Sequence, residues 1–236
     1  MTLAHPRPYQ QPRDTHPPLD FAGYKSTGLR APAQRPIIVP QRLTEVTGPL
    51  LVGEIGPNDH DLTRQHEGEP LGQRITVSGR VLDSDGRPVP DTLVEVWQAN
   101  AAGRYAHERD NWPAPLDPNF SGGGRVVTNS LGEYSFTTIK PGAYPWGNHH
   151  NAWRPAHIHF SLFGRAFTQR LVTQMYFPED PLFAFDPIFR SAPEGARERM
   201  VSTFDMDTTQ PEWALSYRWD IVLRGREQTP FEEPHE

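Results

Sequence analysis

The stretch that decides the fold and the site runs from residue 141 to residue 160 and reads PGAYPWGNHHNAWRPAHIHF. It ends in His157-Ile158-His159, followed by the apolar residues Phe160, Leu162 and Phe163. Because successive side chains of a strand point to opposite faces, the two histidines would project from one face together. Imidazole is the commonest metal ligand among side chains, so the pair predicts half of a metal site. Two hydrogen-bonded polar residues on a solvated strand face would give the same pattern.

Two tyrosines could complete such a site. Tyr144 lies between Pro141-Gly142 and Pro145, on a turn that the prolines stiffen. Tyr105 follows a predicted strand end, in a loop where functional residues concentrate. The chain has no cysteine and this stretch has no carboxylate, so neither thiolates nor a local 2-His-1-carboxylate plan is available. Two phenolates and two imidazoles would suit Fe(III), although either tyrosine alone could be a packing residue.

Composition limits the other functions that the chain could have. Among 236 residues, Lys and Arg number 23 and Asp and Glu 29, so the net charge of −6 gives no sign of nucleic-acid binding. The first residues lack the apolar segment of a signal peptide, and no apolar run is long enough to span a membrane. We therefore expect a cytoplasmic protein that binds no membrane.

Proline marks a change in character along the chain. Eight of the 26 prolines lie within residues 1–40, which excludes a long helix there. We predict that residues 1–45 form an extended N-terminal arm, and that residues 46–236 form a single catalytic domain. Residues 1–15 have few apolar anchors, and we expect them to be disordered.

Short β segments separated by turn residues fill most of the remaining sequence. This pattern predicts an all-β fold, a sandwich of mostly antiparallel strands with long loops and one or two short helices. One helix is expected over residues 193–204. The predicted strands begin with the segment that starts at Arg74 and continue with residues 92–99, 125–128, 133–139, 154–163, 169–177 and 217–223.

Several longer motifs together resemble the intradiol ring-cleaving dioxygenases. The resemblance covers about residue 20 to the C-terminus and is closest to the branch that acts on protocatechuate. The motifs are DGRPVP (85–90), VEVWQAN (94–100), GRY (103–105), LDPNF (116–120), IKPGAYPW (139–146), WRPAHIHF (153–160) and DIVLRG (220–225).

The resemblance implies a mononuclear Fe(III) site with four protein ligands. Tyr105 and His157 would be equatorial, Tyr144 and His159 axial, and a hydroxide would complete the sphere. Protocatechuate would bind through its two hydroxyl oxygens in place of Tyr144 and the hydroxide, so that Tyr144 also acts as a base. The implied reaction adds both atoms of O₂ to the ring and gives 3-carboxy-cis,cis-muconate.

The resemblance also assigns residues around the iron. Arg154 would stabilise negative charge that develops on the substrate, rather than serve only in a structural salt bridge. Gln174 would orient the reactants. The implied substrate-binding residues are Tyr24, Trp146 and Ile188, while Trp97 could belong either to the core or to the pocket.

Partners and rival functions follow from the same comparison. The resemblance implies a homologous α chain, which lacks iron ligands and joins this chain in an αβ protomer of a larger oligomer. One alternative is a homo-oligomeric intradiol dioxygenase that cleaves catechol or hydroxyquinol, although the proline-rich arm cannot form the helical dimerisation region of those relatives. A non-enzyme alternative is a transthyretin-like binding module, which would not explain the two tyrosines.

Overall fold

In the computed structural model of the chain, the structure describes residues 15–34, 54–150, 153–164 and 171–230. These residues form short strands joined by long loops, with three helices of five residues or fewer. The elements are α1 (Thr27–Arg30), β1 (Arg74–Leu82), β2 (Leu93–Trp97), β3 (Gly123–Val127), β4 (Glu133–Ile139), β5 (Tyr144–Pro145), β6 (Trp153–Arg154), β7 (His157–Phe163), β8 (Leu171–Tyr176), α2 (Pro187–Ser191), α3 (Glu194–Arg197), β9 (Thr203–Phe204), β10 (Leu215–Arg218) and β11 (Ile221–Val222).

The first sheet is built around β1. Its side chains alternate strictly between buried and half-buried, as a strand with one face on the core requires. β4 pairs antiparallel with β1, whereas β10 and β11 pair parallel with successive parts of it. β9 extends the sheet antiparallel to β10.

The second sheet carries the histidine pair. Its strand order is β3-β2-β7-β8, and all three pairings are antiparallel. A separate two-stranded ribbon, β5-β6, sets Tyr144 directly opposite Arg154.

The core lies between the two sheets. Ile158, Phe160 and Leu162 of β7 are fully buried in it. The Phe160 ring contacts Phe136 and Tyr134 of β4, each at a centroid distance of 5.9 Å. The histidines at the intervening positions therefore face away from the core. The predicted all-β sandwich of mostly antiparallel strands is confirmed.

The helix predicted over residues 193–204 is wrong in its bounds. Helix α2 ends before Ala192, because Pro193 favours an extended conformation for the residue that precedes it. Helix α3 runs into a 3₁₀ turn over Glu198–Met200. The helical segment ends there because the backbone next pairs with the end of β8, where the Ser202 N–H donates to the Tyr176 carbonyl.

Two predicted strands are interrupted. The segment 154–163 is split between β6 and β7. The segment 217–223 is split between β10 and β11, because the Asp220 side chain accepts the Arg80 N–H in place of a backbone carbonyl.

The N-terminal arm contains one helical turn, α1, and docks on the loop that follows β5. Asn148 holds it there: its Oδ1 accepts the Ser26 N–H at 3.0 Å, and its Nδ2 donates to the Ser26 hydroxyl at 2.8 Å. The predicted division at residue 45 and the predicted disorder of residues 1–15 lie almost wholly outside the described residues and stay predictions. Within the described part of the chain, no helix has the length and apolar character needed to cross a membrane.

Candidate metal centre and active site

Strand register assembles the floor of the site. Trp97 of β2 and Gln174 of β8 lie opposite His159 on either side, so these three side chains form a row across the sheet. His157 lies opposite Tyr176 in the neighbouring row. The Trp97 indole stacks on the His159 ring at 4.8 Å with an angle of 4° between the planes.

Two loops bring the tyrosines over this floor. The Tyr105 N–H donates to the carboxylate of Asp110, which fixes the loop after β2. Gly103, with a φ of 78°, lets this loop approach the next one, because a Cβ there would lie 2.3 Å from the Ala143 carbonyl oxygen. Tyr144 follows directly, on β5.

The four predicted ligand side chains converge. The Tyr144 hydroxyl lies 3.2 Å from Nε2 of His157 and 3.5 Å from the Tyr105 hydroxyl. The rings of His157 and His159 are 4.9 Å apart, and the rings of Tyr105 and His159 are 6.4 Å apart. These contacts put two oxygens and two imidazoles around one point, as the sequence predicted, while their role as iron ligands stays a prediction.

The protonation of the histidines suits metal binding. Nδ1 of His157 lies 2.7 Å from the Pro155 carbonyl, which can only accept, so Nδ1 carries the proton. Its Nε2 lone pair therefore faces the site. Burial, together with Arg154, holds the pKa of His157 well below its usual value. Burial and the neighbouring His157 lower the pKa of His159 well below its usual value too.

The phenols show what kind of ion the site could take. Burial, and next the Tyr144 phenol, raise the pKa of Tyr105 well above its usual value. A strongly charged cation is therefore needed to keep the Tyr105 phenol ionised. Among the residues that the structure describes, no group of three or more His, Cys, Asp or Glu side chains could hold a metal ion.

Arg154 is buried beside these donors and is fully bonded. Its side chain is 3% exposed, and the Asp186 side chain with which it forms a salt bridge is 0% exposed. NH2 also donates to Gln174 at 2.6 Å, and NH1 lies 3.3 Å from the Tyr144 hydroxyl. Burial opposes its charge, but Asp186 and the nearby phenols outweigh it and raise the pKa of Arg154 further above its usual value. Arg154 thus makes a structural salt bridge and also presents a cation to the site.

Two of the three residues predicted to bind substrate are in contact with each other. Tyr24 of the arm contacts Trp146 edge-on at 5.0 Å, and the Trp146 ring centre lies 5.6 Å from the Arg154 guanidinium carbon. The arm therefore reaches the site through Trp146. Ile188 is buried on α2, and its N–H donates to Asp186. Trp97 is half-buried against His159 and so belongs to the site rather than the core.

Sequence reasoning missed two residues of this network, Asp186 and Tyr176. The Tyr176 hydroxyl receives a hydrogen bond from Arg154 at 3.0 Å and lies 3.2 Å from the Asp186 carboxylate. A signal for Asp186 was present, since Asp followed by Pro187 is typical of a helix N-terminus. Tyr176 could have been found from its register, two residues from Gln174 on the same strand face.

Two family models match the sequence. The model described as dioxygenase matches residues 46–225. The model described as the N-terminal part of the protocatechuate 3,4-dioxygenase β subunit matches residues 9–42.

Individual proteins give similar results. The chain is 59% identical to the protocatechuate 3,4-dioxygenase β chain of Burkholderia cepacia, over 94% of this chain and 96% of that one. It is 29% identical to the α chain from the same organism, over 68% and 77%. Among solved structures, 3-chlorocatechol 1,2-dioxygenase from Rhodococcus opacus superimposes with a TM-score of 0.55 at 23% identity, over 74% and 69%, a likeness in fold.

Proposed function

The chain belongs to the intradiol dioxygenase family, whose model matches residues 46–225, and from that premise we propose that it is the catalytic β chain of a protocatechuate 3,4-dioxygenase. In this function protocatechuate and O₂ are converted to 3-carboxy-cis,cis-muconate. The observation that carries the proposal is the convergence of Tyr105, Tyr144, His157 and His159 within a chain 59% identical to such a β chain.

The metal in this proposal is one Fe(III) per chain. Tyr105, Tyr144, His157 and His159 would hold it, since two neutral imidazoles and two ionised phenols give a donor set of charge −2. When bound, Fe(III) acts as a Lewis acid that activates the catechol ring of the substrate. Burial favours the neutral form of both histidines, which is the form that can bind this ion. In this structure Nε2 of His157 accepts from NH1 of Arg154 at 2.9 Å, and the ion would take the place of that hydrogen bond.

The chain's own residues would bind the substrate and move its protons. Tyr144 is the proposed acceptor of a catechol proton, because its hydroxyl oxygen lies within hydrogen-bond distance of Arg154 and His157. The NH1 group of Arg154 would stabilise negative charge that builds up on the substrate oxygen. Gln174 would act mainly by holding Arg154, to which its Oε1 is bonded.

The substrate pocket would include Tyr24, Trp146 and Ile188. Tyr24 and Trp146 are in edge contact at the point where the arm meets the site. Their rings would cover one side of the aromatic substrate. We further propose that a homologous α chain completes the site in an αβ protomer, which is consistent with the similarity of this chain to both chain types. The cytoplasmic location stays a prediction from the sequence.

The rival interpretations have less support. Membership in the dioxygenase family argues against a transthyretin-like binding module. A homo-oligomeric enzyme for catechol or hydroxyquinol is disfavoured, because residues 9–42 match the N-terminal model of a protocatechuate dioxygenase β subunit.

Iron content, colour and oxygen uptake test the proposal. Co-expressed with an α chain, the protein should carry one iron per β chain and take up oxygen with protocatechuate. Two phenolates on Fe(III) should give a broad visible charge-transfer band and a red to brown colour. Colourless protein at full iron occupancy would refute the tyrosinate assignment, and colourless zinc-loaded protein would show that the metal is wrong.

A further inference from the structure

The guanidinium of Arg154 is held on two of its three nitrogens by one carboxylate. Nε lies 3.3 Å from Oδ1 of Asp186, and NH2 lies 3.0 Å from Oδ2. NH2 also donates to Gln174 and to Tyr176, at 2.6 and 3.0 Å. A guanidinium is planar, so a grip on Nε and NH2 fixes the direction of the remaining nitrogen.

That remaining nitrogen, NH1, points at the candidate metal centre. It lies 2.9 Å from Nε2 of His157 and 3.3 Å from the Tyr144 hydroxyl. The cation therefore reaches the site through a single N–H edge. A small rotation of the guanidinium plane would move this edge away from the Tyr144 oxygen.

Asp186 is itself fixed by helix α2. Its Oδ1 accepts the Ile188 N–H at 3.1 Å, which caps the helix, and Pro187 occupies the first helical position. The helix is anchored in turn, because Phe189 packs on the Tyr176 ring at 5.0 Å. The carboxylate that binds Arg154 is therefore held in place at the N-terminus of a packed helix.

The burial of this pair points to a role beyond stability. Both side chains are almost completely inaccessible, and a buried ion pair gives little net stabilisation compared with apolar residues of the same volume. We propose that Asp186 is a positioning residue for ring cleavage, which aims the NH1 edge of Arg154 at the Tyr144 oxygen and ties that edge to α2. This inference rests on the proposed function of the site.

Asp186→Asn in the co-expressed αβ complex tests the inference. Asparagine keeps an oxygen to cap Ile188 but would turn an N–H toward the NH2 group of Arg154. We expect kcat to fall about tenfold or more with KM within about twofold, and with iron content and the visible band of the resting protein retained. Unchanged kcat, or a loss confined to KM, would overturn the inference.

A double-mutant cycle with Arg154→Gln separates positioning from general damage. If Asp186 acts through Arg154, the double variant should have the same kcat as Arg154→Gln alone. If Asp186→Asn lowers kcat by the same factor in both backgrounds, Asp186 does not act through Arg154.

Tyr176→Phe is a second test, for use if Asp186→Asn fails to fold. It removes a hydroxyl that bonds both Arg154 and Asp186, and it should lower kcat without changing KM. An unchanged kcat in this variant counts against the inference.

Asp180→Asn is the matched control. Asp180 also precedes a proline, and its side chain caps the 3₁₀ turn Pro181–Ala184 by accepting the Leu182 N–H. Asparagine keeps one oxygen to cap Leu182 but replaces the other, which accepts the Ala156 N–H at 3.2 Å, so stability should fall slightly while kcat stays within about twofold of wild type. An equal fall of kcat in both variants would mean that loss of a capping carboxylate alone explains the effect, and would overturn the inference.

The free energy of unfolding gives a readout that does not need activity. Arg154→Gln should destabilise the chain more when Asp186 is retained than when Asp186 is already Asn, because an unpaired buried carboxylate is left behind. Additive effects would contradict the coupling. A wild-type complex without iron or oxygen uptake would defeat the proposed function, whereas this stability cycle would still test the pairing itself.

Discussion

The ligand side chains differ in how the protein prepares them for an ion. Burial favours the neutral imidazoles of His157 and His159, which is the form that coordinates a metal. Burial also favours the neutral form of Tyr105, whose phenol ionises less readily than in water, and a neutral phenol is the poorer metal ligand. The histidines are therefore in their metal-binding form without the metal, whereas Tyr105 depends on the metal to ionise.

The two tyrosines should behave differently when each is changed to phenylalanine. Tyr144→Phe removes the proposed proton acceptor, so it should retain iron but bind protocatechuate slowly and turn over at least about a hundredfold more slowly. Tyr105→Phe should instead weaken iron retention and shift the visible band of the resting protein. Stopped-flow absorbance and iron assays measure both effects. Wild-type turnover in Tyr144→Phe would rule out its role as a base.

Arg154→Ser should separate charge stabilisation from substrate binding. All four proposed ligands remain, so kcat should fall about a hundredfold while KM changes little. The variant also leaves the Asp186 carboxylate buried without its cation, so unfolding in urea should show a loss of about 3–5 kcal/mol. A change in KM alone would indicate that Arg154 only binds substrate.

Residues of the site were predictable where the sequence places them on regular spacing or in a distinctive motif. His157 and His159 follow from strand alternation, and their joint orientation is seen in the sheet. Asp186 was not predicted, because its partner Arg154 is 32 residues away and a salt bridge leaves no periodic pattern. The position of Asp186 depends on the conformation of the loop between β8 and α2. The spacing of residues in the sequence does not determine that conformation.

At the level of elements, Gly79 of β1 allows the backbone at Trp219 to approach this strand closely. A Cβ at Gly79 would lie 1.7 Å from the Trp219 carbonyl oxygen. That oxygen accepts the Tyr134 hydroxyl at 2.6 Å, so the close approach lies inside the core. The strand β1 was predictable from its alternation, whereas this close approach depends on residues 140 positions apart in sequence.

Gly79→Ala should therefore disrupt the pairing of β1 with the C-terminal strands β10 and β11. The methyl group meets backbone rather than a flexible side chain, so we expect a loss of about 3 kcal/mol or more in the free energy of unfolding. The control is Gly123→Ala in β3, where the nearest atom to the new Cβ is 3.9 Å away. That change should stay within about 1 kcal/mol of wild type. Equal losses in the two variants would contradict the steric explanation.

The helices show where local signals conflict. Residues 187–200 contain enough helix-forming residues for one helix, but Pro193 divides them into α2 and α3. The end at Met200 could not be predicted from propensity, because it is set by tertiary pairing of Val201 with Tyr176. Tertiary contacts thus overrode the local preference for helix.

The arm should dock more weakly in mild acid. His16 is buried, and its pKa is lowered chiefly by that burial. The positive charge of Arg199 lowers the pKa further, and a hydrogen bond to Gln228 offsets part of the shift. A group with a lowered pKa in the folded state stabilises docking fully above pH 6.5, and that contribution is lost as the pH falls from 6.5 toward the folded pKa. The protection factors of the amides of residues 15–31, which remove the intrinsic pH dependence of hydrogen exchange, should therefore fall as the pH is lowered across this range.

His16→Asn should abolish that pH dependence, and His66→Asn, at an exposed position, is the matched control that should preserve it. An equal fall in the protection factors of wild type and His16→Asn would show that another group controls docking of the arm.

At the scale of the whole molecule, the arm joins distant parts of the fold. It contacts the C-terminal region near His16 and reaches the candidate site through Tyr24. Yet it leaves apolar surface uncovered, since Leu29 on α1 is 91% exposed. The anchoring of Ser26 by Asn148 fixes that exposed turn next to the site instead of folding it into the sandwich. We propose that a second chain covers this turn.

The chain should accordingly need a homologous α chain to act. The carboxylate of protocatechuate requires a cation, and Arg154 is already held by Asp186, with NH1 directed at His157 and Tyr144. A second chain could supply the missing group and cover the arm, in an αβ protomer that assembles into a closed symmetric oligomer. Expressed alone, this chain should be poorly soluble or inactive, and co-expression with an α chain should restore iron content and oxygen uptake. If the chain purifies alone as a stable, iron-loaded protein that cleaves protocatechuate at the rate of the complex, the hetero-oligomer is refuted. The homo-oligomeric alternative would then take its place.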